Sequence, residues 1–211
     1  KNIIEINKQI EQNIIERIDK GMQLVENEIF LHTAPHHDDI ELAYQPYITH
    51  LVRTPKNKHH FTYLTSGFTA VTNSFMLELM QNLMTFLNSG TFTKKFNENY
   101  FNRANIDGKN RDVMQYLDGV AAHSRTLQNE ALARRLLRNI MEVYEEESLI
   151  YLKDRVNELI NYFKTQYPGK KDIAHVQKLK GMQREFESEI FWGYYGFSVE
   201  DVSHLRLGFY Q

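Results

Sequence analysis

The sequence predicts an α/β domain in which a small parallel β-sheet carries a large all-helical insertion. Strand-like stretches at residues 28–34 and 60–65 flank a helical pattern, and this order over about 40 residues predicts parallel strands joined by a right-handed crossover. From Phe75 onward, about a hundred residues carry apolar side chains at spacings of three and four, which is typical of α-helices. A third strand-like stretch at 202–207 completes the predicted sheet.

The bounds of the first elements follow from apolar spacing and from helix-breaking residues. Isoleucines at helical spacing predict a helix over residues 2–20, with Gly21 as its stop. The stretch 28–34 is rich in β-branched and aromatic residues, so we expect a buried strand. In the helix that follows, Pro46 predicts a kink or a late helix start.

The 211 residues are predicted to form a single domain. Its α/β parts cover roughly residues 1–74 and 173–211, and its helical insertion covers roughly 75–172. The last helix is expected over 173–195, where the aromatic residues near its end predict helix packing. The polar tract 94–112 predicts a flexible loop, because asparagine, glycine and charged residues dominate it.

The composition argues against several classes of partner. The 25 Lys and Arg residues are dispersed among 27 Asp and Glu residues without a basic stripe, so no nucleic-acid partner is expected. No apolar run approaches ~18 residues and no signal peptide is recognisable, so we expect no membrane partner and a cytoplasmic location. The sequence has no cysteine, which leaves histidine and carboxylate as metal ligands. Because the chain begins at Lys1 inside a predicted helix, we expect a fragment that contacts a further domain of its parent chain.

The stretch "HTAPHHDDIELAYQP" at residues 32–46 contains three histidines and two adjacent aspartates, which are side chains that bind metals and transfer protons. His36, His37, Asp38 and Asp39 lie between a predicted strand and a predicted helix, at the sheet edge where parallel α/β folds bind ligands. A divalent metal accepts imidazole and carboxylate together, and a second, unligated carboxylate can take a proton from water. The residues alone leave a structural alternative open, in which the aspartates only cap the helix and the histidines lie in a polar loop.

A second polar stretch follows the second predicted strand at the same edge. "TSGFTAVTN" places Thr65, Ser66, Thr69 and Asn73 after the strand end. These small hydroxyl and amide side chains are suited to contact a polar substrate. An ordinary polar turn explains them equally well.

The stretches "IFLHTAPHHDD" and "FTYLTSG" resemble the opening of the PIG-L/LmbE family of zinc-dependent N-acetylglucosaminyl deacetylases. Arg184, Glu187 and the segment "VEDVSHLRLGFY" are similar to a later helix and strand of that family. The resemblance covers roughly residues 20–74 and 175–211. "HTAPHHDDIELAY" with "LTSGFTAVTN" is most similar to the LmbE-like part of proteins that also carry a glucosamine-6-phosphate deaminase/isomerase-like domain.

The resemblance implies a Rossmann-like, LmbE-like sheet and a domain that acts on an N-acetyl amino sugar. Position by position, it makes His36 and Asp39 ligands of a zinc ion and Asp38 the general base. His37 stands where the family has proline. It is expected on the substrate side together with four residues of the second loop: Thr65, Ser66, Thr69 and Asn73.

The sequence departs from the family pattern in two places. Residues 41–46 replace the glycines that the family carries after its first motif. The family's third metal ligand is a histidine well downstream of the third strand, and no histidine here matches it. Because two protein ligands rarely hold a metal against buffer, residues 1–211 are expected to bind zinc weakly and to release no acetate by themselves.

The remaining histidines are expected to have other roles. They are His50, His59, His60, His123, His175 and His204. His204 is predicted to be a structural residue of the third strand, whereas His59 and His60 are predicted to be solvated loop residues.

Two other functions compete with the deacetylase. The unmatched ligand and the lost glycines favour a non-catalytic, regulatory or interaction domain. An HD-type phosphohydrolase ranks last, because the His37–Asp38 pair follows a predicted strand and Pro35 rather than lying within a helical bundle.

Overall fold

The structure, a computed structural model, describes residues 2–167 and 169–208. Its strands are β1 (Ile29–Ala34), β2 (Lys58–Tyr63) and β3 (Val202–His204). Its α-helices are α1 (Ile3–Met22), α2 (His37–Ala43), α3 (Gln45–Val52), α4 (Asn73–Asn88), α5 (Thr93–Asn97), α6 (Ile106–Ala121), α7 (Arg125–Tyr144), α8 (Leu149–Thr165) and α9 (Ala174–Tyr194). Short 3₁₀ helices lie at Phe68–Ala70 and Val199–Asp201.

The three strands form one parallel sheet in the order β1-β2-β3, which confirms the predicted α/β class. Along the chain, α2 and α3 connect β1 to β2, and the helices from α4 to α9 lie between β2 and β3. Trp192 of α9 stacks on Phe61 of β2 with ring centroids 3.5 Å apart. Its indole N–H donates to the Tyr63 hydroxyl at 2.6 Å. The predicted packing of the aromatic residues near the end of the last helix is therefore confirmed for Trp192, whereas Tyr194 is 77% exposed.

The other face of the sheet is not covered along β1. Ile29 and Leu31 remain 70% and 66% exposed, so the prediction of a fully buried strand is wrong on this face. Parallel strands are usually buried on both faces. The predicted first helix does form, but all residues from 2 to 29 are exposed, including its isoleucine stripe. Gly21 does not end α1, because it lacks the positive φ of a glycine that terminates a helix.

Proline and polar caps set the bounds of several helices. Pro46 lies in the first turn of α3, so the predicted late helix start is confirmed and α2 and α3 are separate helices. Thr72 caps α4 by accepting a hydrogen bond from the Phe75 N–H at 3.2 Å. No helix in the described part of the chain is long and apolar enough to cross a membrane.

The helical insertion has an apolar core of its own, formed mainly by α4, α7, α8 and the start of α9. Leu83, Leu136 and Leu152 are fully buried in it. The tract 94–112 is not the predicted loop, because it contains most of α5 and the first turns of α6. Phe101 is buried, and Asn105 caps α6 by accepting from the Gly108 N–H at 2.8 Å.

His59 contradicts the prediction of a solvated loop histidine. It lies within β2, it is buried, and its Nδ1 is 3.0 Å from Nε2 of His32 on β1. The His32 ring stacks on His59 and on Phe61. Burial, with a smaller contribution from His59, lowers the pKa of His32 from 6.5 to about 4. His60, the next residue of β2, is exposed but is also a strand residue.

Replacing His32 with Phe is expected to weaken the loss of stability in acid. Folded His32 stays neutral down to about pH 4, whereas in the unfolded chain it protonates near pH 6.5. Protonation therefore favours the unfolded chain between these two values, so the free energy of unfolding is highest above pH 6.5 and falls as the pH falls toward 4. The full shift corresponds to about 3 kcal/mol, and solvent screening of this half-buried ring reduces it to about 1–2 kcal/mol. Urea unfolding of the wild type and of His32→Phe at pH 7.5 and 4.5 measures this change in the free energy of unfolding. An equal change in the two proteins would contradict the role given to His32.

Candidate metal centre

The loops that follow β1 and β2 lie side by side at the carboxyl edge of the sheet. Backbone pairing continues beyond the strands, since the Leu64 N–H donates to the Ala34 carbonyl at 3.0 Å and the Thr65 N–H donates to the Pro35 carbonyl at 2.9 Å. His36 therefore leaves the sheet beside the second loop, and α2 begins immediately after it. This edge is where parallel α/β sheets bind ligands.

His36, Asp38 and Asp39 converge at this edge as predicted. One ligand atom from each side chain can be chosen so that all three lie within 4.8 Å of one another. The His36 side chain is 30% exposed, and those of Asp38 and Asp39 are 47% and 54% exposed. An imidazole and two carboxylates, open to solvent, match the ligands that zinc accepts in proteins. The group could therefore hold a metal ion, and no other group of this kind occurs among residues 2–167 and 169–208.

Asp39 also has the capping role that the sequence left open. Its Oδ2 accepts a hydrogen bond from the His36 backbone N–H at 3.1 Å and lies 3.7 Å from His36 Nδ1. That hydrogen bond uses one carboxylate oxygen, so capping and metal ligation are compatible. Asp38 has a different partner, because its Oδ2 accepts from Nη2 of Arg184 on α9 at 3.4 Å. The two carboxylates thus have different surroundings and are suited to different roles.

Gly67 lies directly against the His36 ring. Its φ of +62° is in the left-handed region, which favours glycine. A Cβ at this position would also lie 3.0 Å from His36 Cδ2. The second loop therefore needs glycine both for its turn and for close contact with the candidate ligand.

His37 and Glu41 lie on the side of α2 that faces the protein. His37 is buried, its Nε2 is 3.6 Å from Oε2 of Glu187, and its ring meets Tyr63 edge-on. The Oε1 atom of Glu41 is buried without a hydrogen-bond partner in the described residues. Burial raises the pKa of Glu41 to about 7. The sequence interpretation missed Glu41, although its position three residues after Asp38 on one helix was a usable signal.

A cavity of about 560 Å³ lies beside His36, the one candidate metal ligand on its wall. Its wall includes His36, Thr65, Ser66, Phe68, Thr69, Gln177, Lys178, Glu185 and Arg206. Three of the predicted substrate residues thus line it. The Thr65 hydroxyl donates to the Pro35 carbonyl at 3.0 Å, so Thr65 also joins the two loops.

The other two predicted substrate residues are not on the cavity wall. His37 contacts Glu187 instead. Asn73 accepts a hydrogen bond from Lys180 Nζ at 2.6 Å. The cavity residues on α9 and after β3 were not predicted, because nothing in the local sequence places them opposite the second loop.

Comparison of the chain with protein-family models, curated proteins and solved structures returned no match.

Proposed function

We propose that this chain is a domain of an amino-sugar metabolism protein of the glucosamine-6-phosphate deaminase-like kind, and that it acts as a metal-dependent deacetylase of an N-acetyl amino sugar. The observation that carries the proposal is the convergence of His36, Asp38 and Asp39 beside a cavity at the carboxyl edge of a parallel sheet. The resemblance of the first motif to the PIG-L/LmbE deacetylases supplies the substrate class. His36 and Asp39 would hold the metal, which we propose is zinc.

The cavity suits a small polar substrate. Its volume of about 560 Å³ falls within the range of small-molecule sites. Ser66 and Thr69 line the cavity together with His36, and hydroxyl side chains offer donors and acceptors to sugar hydroxyl groups. A monosaccharide could thus present its acetamido group to the ligands while its ring contacts the second loop.

The two carboxylates have different roles in amide hydrolysis, Asp39 as a metal ligand and Asp38 as the general base. A bound zinc ion would supply a Lewis acid for the amide carbonyl. Asp38, held by Arg184, takes a proton from the attacking water as the new carbon–oxygen bond forms. Asp38 then returns this proton to the nitrogen as the carbon–nitrogen bond breaks, so that the products are the amino sugar and acetate and Asp38 is again a carboxylate.

Zinc binding tests the metal part of the proposal. By calorimetric titration, Asp39→Asn is expected to weaken zinc affinity by more than ~10-fold, the smallest effect usual for changes around a metal site. Asp19→Asn is the matched control, because Asp19 lies on the fully exposed α1. Equal affinities in the two variants would mean that zinc binds elsewhere.

The non-catalytic domain remains the second candidate, favoured by one observation. His37 contacts Glu187, so His36 supplies the only imidazole of the group in the part of the chain that the structure describes. Catalytic zinc sites usually have three protein ligands. Acetate release from N-acetylglucosamine and its 6-phosphate, measured with saturating zinc, distinguishes the two candidates. It should be measured on this chain and on any longer natural protein that contains it; no release from either would favour the non-catalytic domain.

A further inference from the structure

A second cavity of about 560 Å³ lies between α6, α7, α9 and β3, and we call it the α7 cavity. It does not include His36, Asp38 or Asp39. The ion pair between Glu185 and Arg206 lines both this cavity and the one beside the candidate metal centre. The two cavities are therefore neighbours with a shared polar wall.

Three polar side chains of α7 line this cavity at helical spacing. Arg135, Arg138 and Asn139 are 5%, 6% and 3% exposed. Helices in a bundle normally present apolar side chains at such buried positions, and arginine is rarely buried without full pairing. This polar face of α7 therefore needs an explanation that packing alone does not supply.

Each of these side chains has a donor without an acceptor. Nε of Arg135, Nη2 of Arg138 and Nδ2 of Asn139 have no hydrogen-bond partner within residues 2–167 and 169–208. Buried polar groups in native proteins are nearly always hydrogen-bonded, and unpaired ones often mark a bound water, ion or ligand. Three such donors on one helix face indicate a ligand rich in acceptors.

Three carboxylates of the cavity wall pair with arginines. Both oxygens of Glu185 accept from Arg206, at 2.7 and 2.8 Å, and Glu142 accepts from the same guanidinium at 2.8 Å. Glu189 forms an ion pair with Arg135. Among the buried atoms of this wall that have no hydrogen-bond partner in the described residues, the donors of Arg135, Arg138 and Asn139 outnumber the one carboxylate oxygen, Oε2 of Glu189.

Lys109 adds a further positive charge to the wall. It lines the cavity, where its charge interacts with those of Glu189 and Glu142. The nearby Asp112 accepts from Nε of Arg138 at 2.7 Å, so it leaves the Nη2 donor of that arginine unpaired.

We propose that the α7 cavity binds a small molecule through an oxyanion group, either a carboxylate or a phosphate, that accepts hydrogen bonds from Arg135, Arg138 and Asn139. Guanidinium and amide donors suit the several acceptor oxygens of such a group. The acidic residues Glu145, Glu146 and Glu147 also line the cavity, so the rest of the ligand is neutral or carries hydroxyl or amine groups. This site does not depend on the proposed deacetylase function.

Calorimetric titration with inorganic phosphate and with glycolate, at constant ionic strength, tests the proposal. Asn139→Leu keeps the branched shape of the side chain, removes one unpaired donor and leaves every charge in place. It is expected to weaken binding by ~10-fold or more, the usual effect of losing a hydrogen bond to a charged group. Asn161→Leu on the exposed face of α8 is the matched control and should bind as the wild type does.

Each outcome decides the proposal. Phosphate or glycolate binding that is weakened by Asn139→Leu supports it and identifies the oxyanion. The absence of binding by both probes overturns it in favour of a water-filled cavity, and binding unchanged in Asn139→Leu overturns it in favour of another site. His36→Ala should retain binding, which separates this site from the metal centre. If Asn139→Leu fails to fold, Arg135→Lys removes the unpaired Nε donor and keeps a cation beside Glu189, and the same weakening is expected.

Discussion

Asp38→Asn is expected to lower acetate release from an N-acetyl amino sugar by a factor of ~10² to 10⁴, the usual contribution of a positioned general base. Asparagine keeps the shape of the side chain but cannot accept the proton of the attacking water. Zinc affinity is expected to stay nearly unchanged, because the proposed ligands are His36 and Asp39. Turnover and calorimetric zinc titration are measured on the same preparations, from this chain or from any longer natural protein that shows activity.

Two variants separate the role of the base from a general disturbance of the site. Asp39→Asn should lose zinc affinity and turnover together, whereas Asp19→Asn should change neither. The mechanism would be wrong if Asp38→Asn kept full turnover. If Asp38→Asn lost zinc affinity, Asp38 would instead be a metal ligand. Its side chain is close enough for this role, because it belongs to the group of His36, Asp38 and Asp39.

Asp112→Ala is expected to reduce the free energy of unfolding by about 3–5 kcal/mol, the typical effect of removing one partner of a buried ion pair. Asp112 is fully buried, and its two oxygens accept from Arg138 Nε at 2.7 Å and from the Tyr100 hydroxyl at 2.6 Å. Alanine would leave the buried guanidinium without its carboxylate. Burial, followed by the charge of Asp112, raises the pKa of Tyr100 to about 12, so the hydroxyl remains a neutral donor in this network.

The matched control for this prediction is an exposed ion pair on α8. Glu158 pairs with Arg155 at the surface, so Glu158→Ala is expected to change stability by less than about 1 kcal/mol. Urea unfolding at pH 7 measures both variants. Similar small losses in the two variants would show that Arg138 finds another partner or water when Asp112 is removed.

The sequence by itself determined the order of the elements and the place of the first motif. Alternating strand residues, helical spacing and Pro35 are local signals, and they put His36, Asp38 and Asp39 at the junction of β1 and α2. In the structure His36 immediately precedes α2, and Asp38 and Asp39 lie in its first turn. Because a short βαβ connection joins parallel strands, the same reasoning placed Thr65 and Ser66 at the same edge. These conclusions required only the periodicity of the chain and the geometry of one crossover.

Local periodicity did not predict the burial or the structure of three other parts of the chain. The isoleucine stripe of α1 predicted the helix correctly but not its exposure, since amphipathicity says that a face is apolar and not what covers it. The polar tract 94–112 lacked apolar spacing, yet Phe101 and the Asn105 cap hold it in defined helices. His59 looked like a loop residue because β2 begins earlier than its apolar residues suggested.

Only the tertiary structure decided which distant residues meet. Arg184 reaches Asp38 across 146 positions of sequence, and Arg206 reaches Glu185 across 21. The raised pKa of Glu41 depends on burial by neighbouring elements, which no spacing rule records. Pairing and burial arise when helices pack against a sheet, and they depend on three-dimensional distances. Periodicity along the chain reports only which face of each element is apolar.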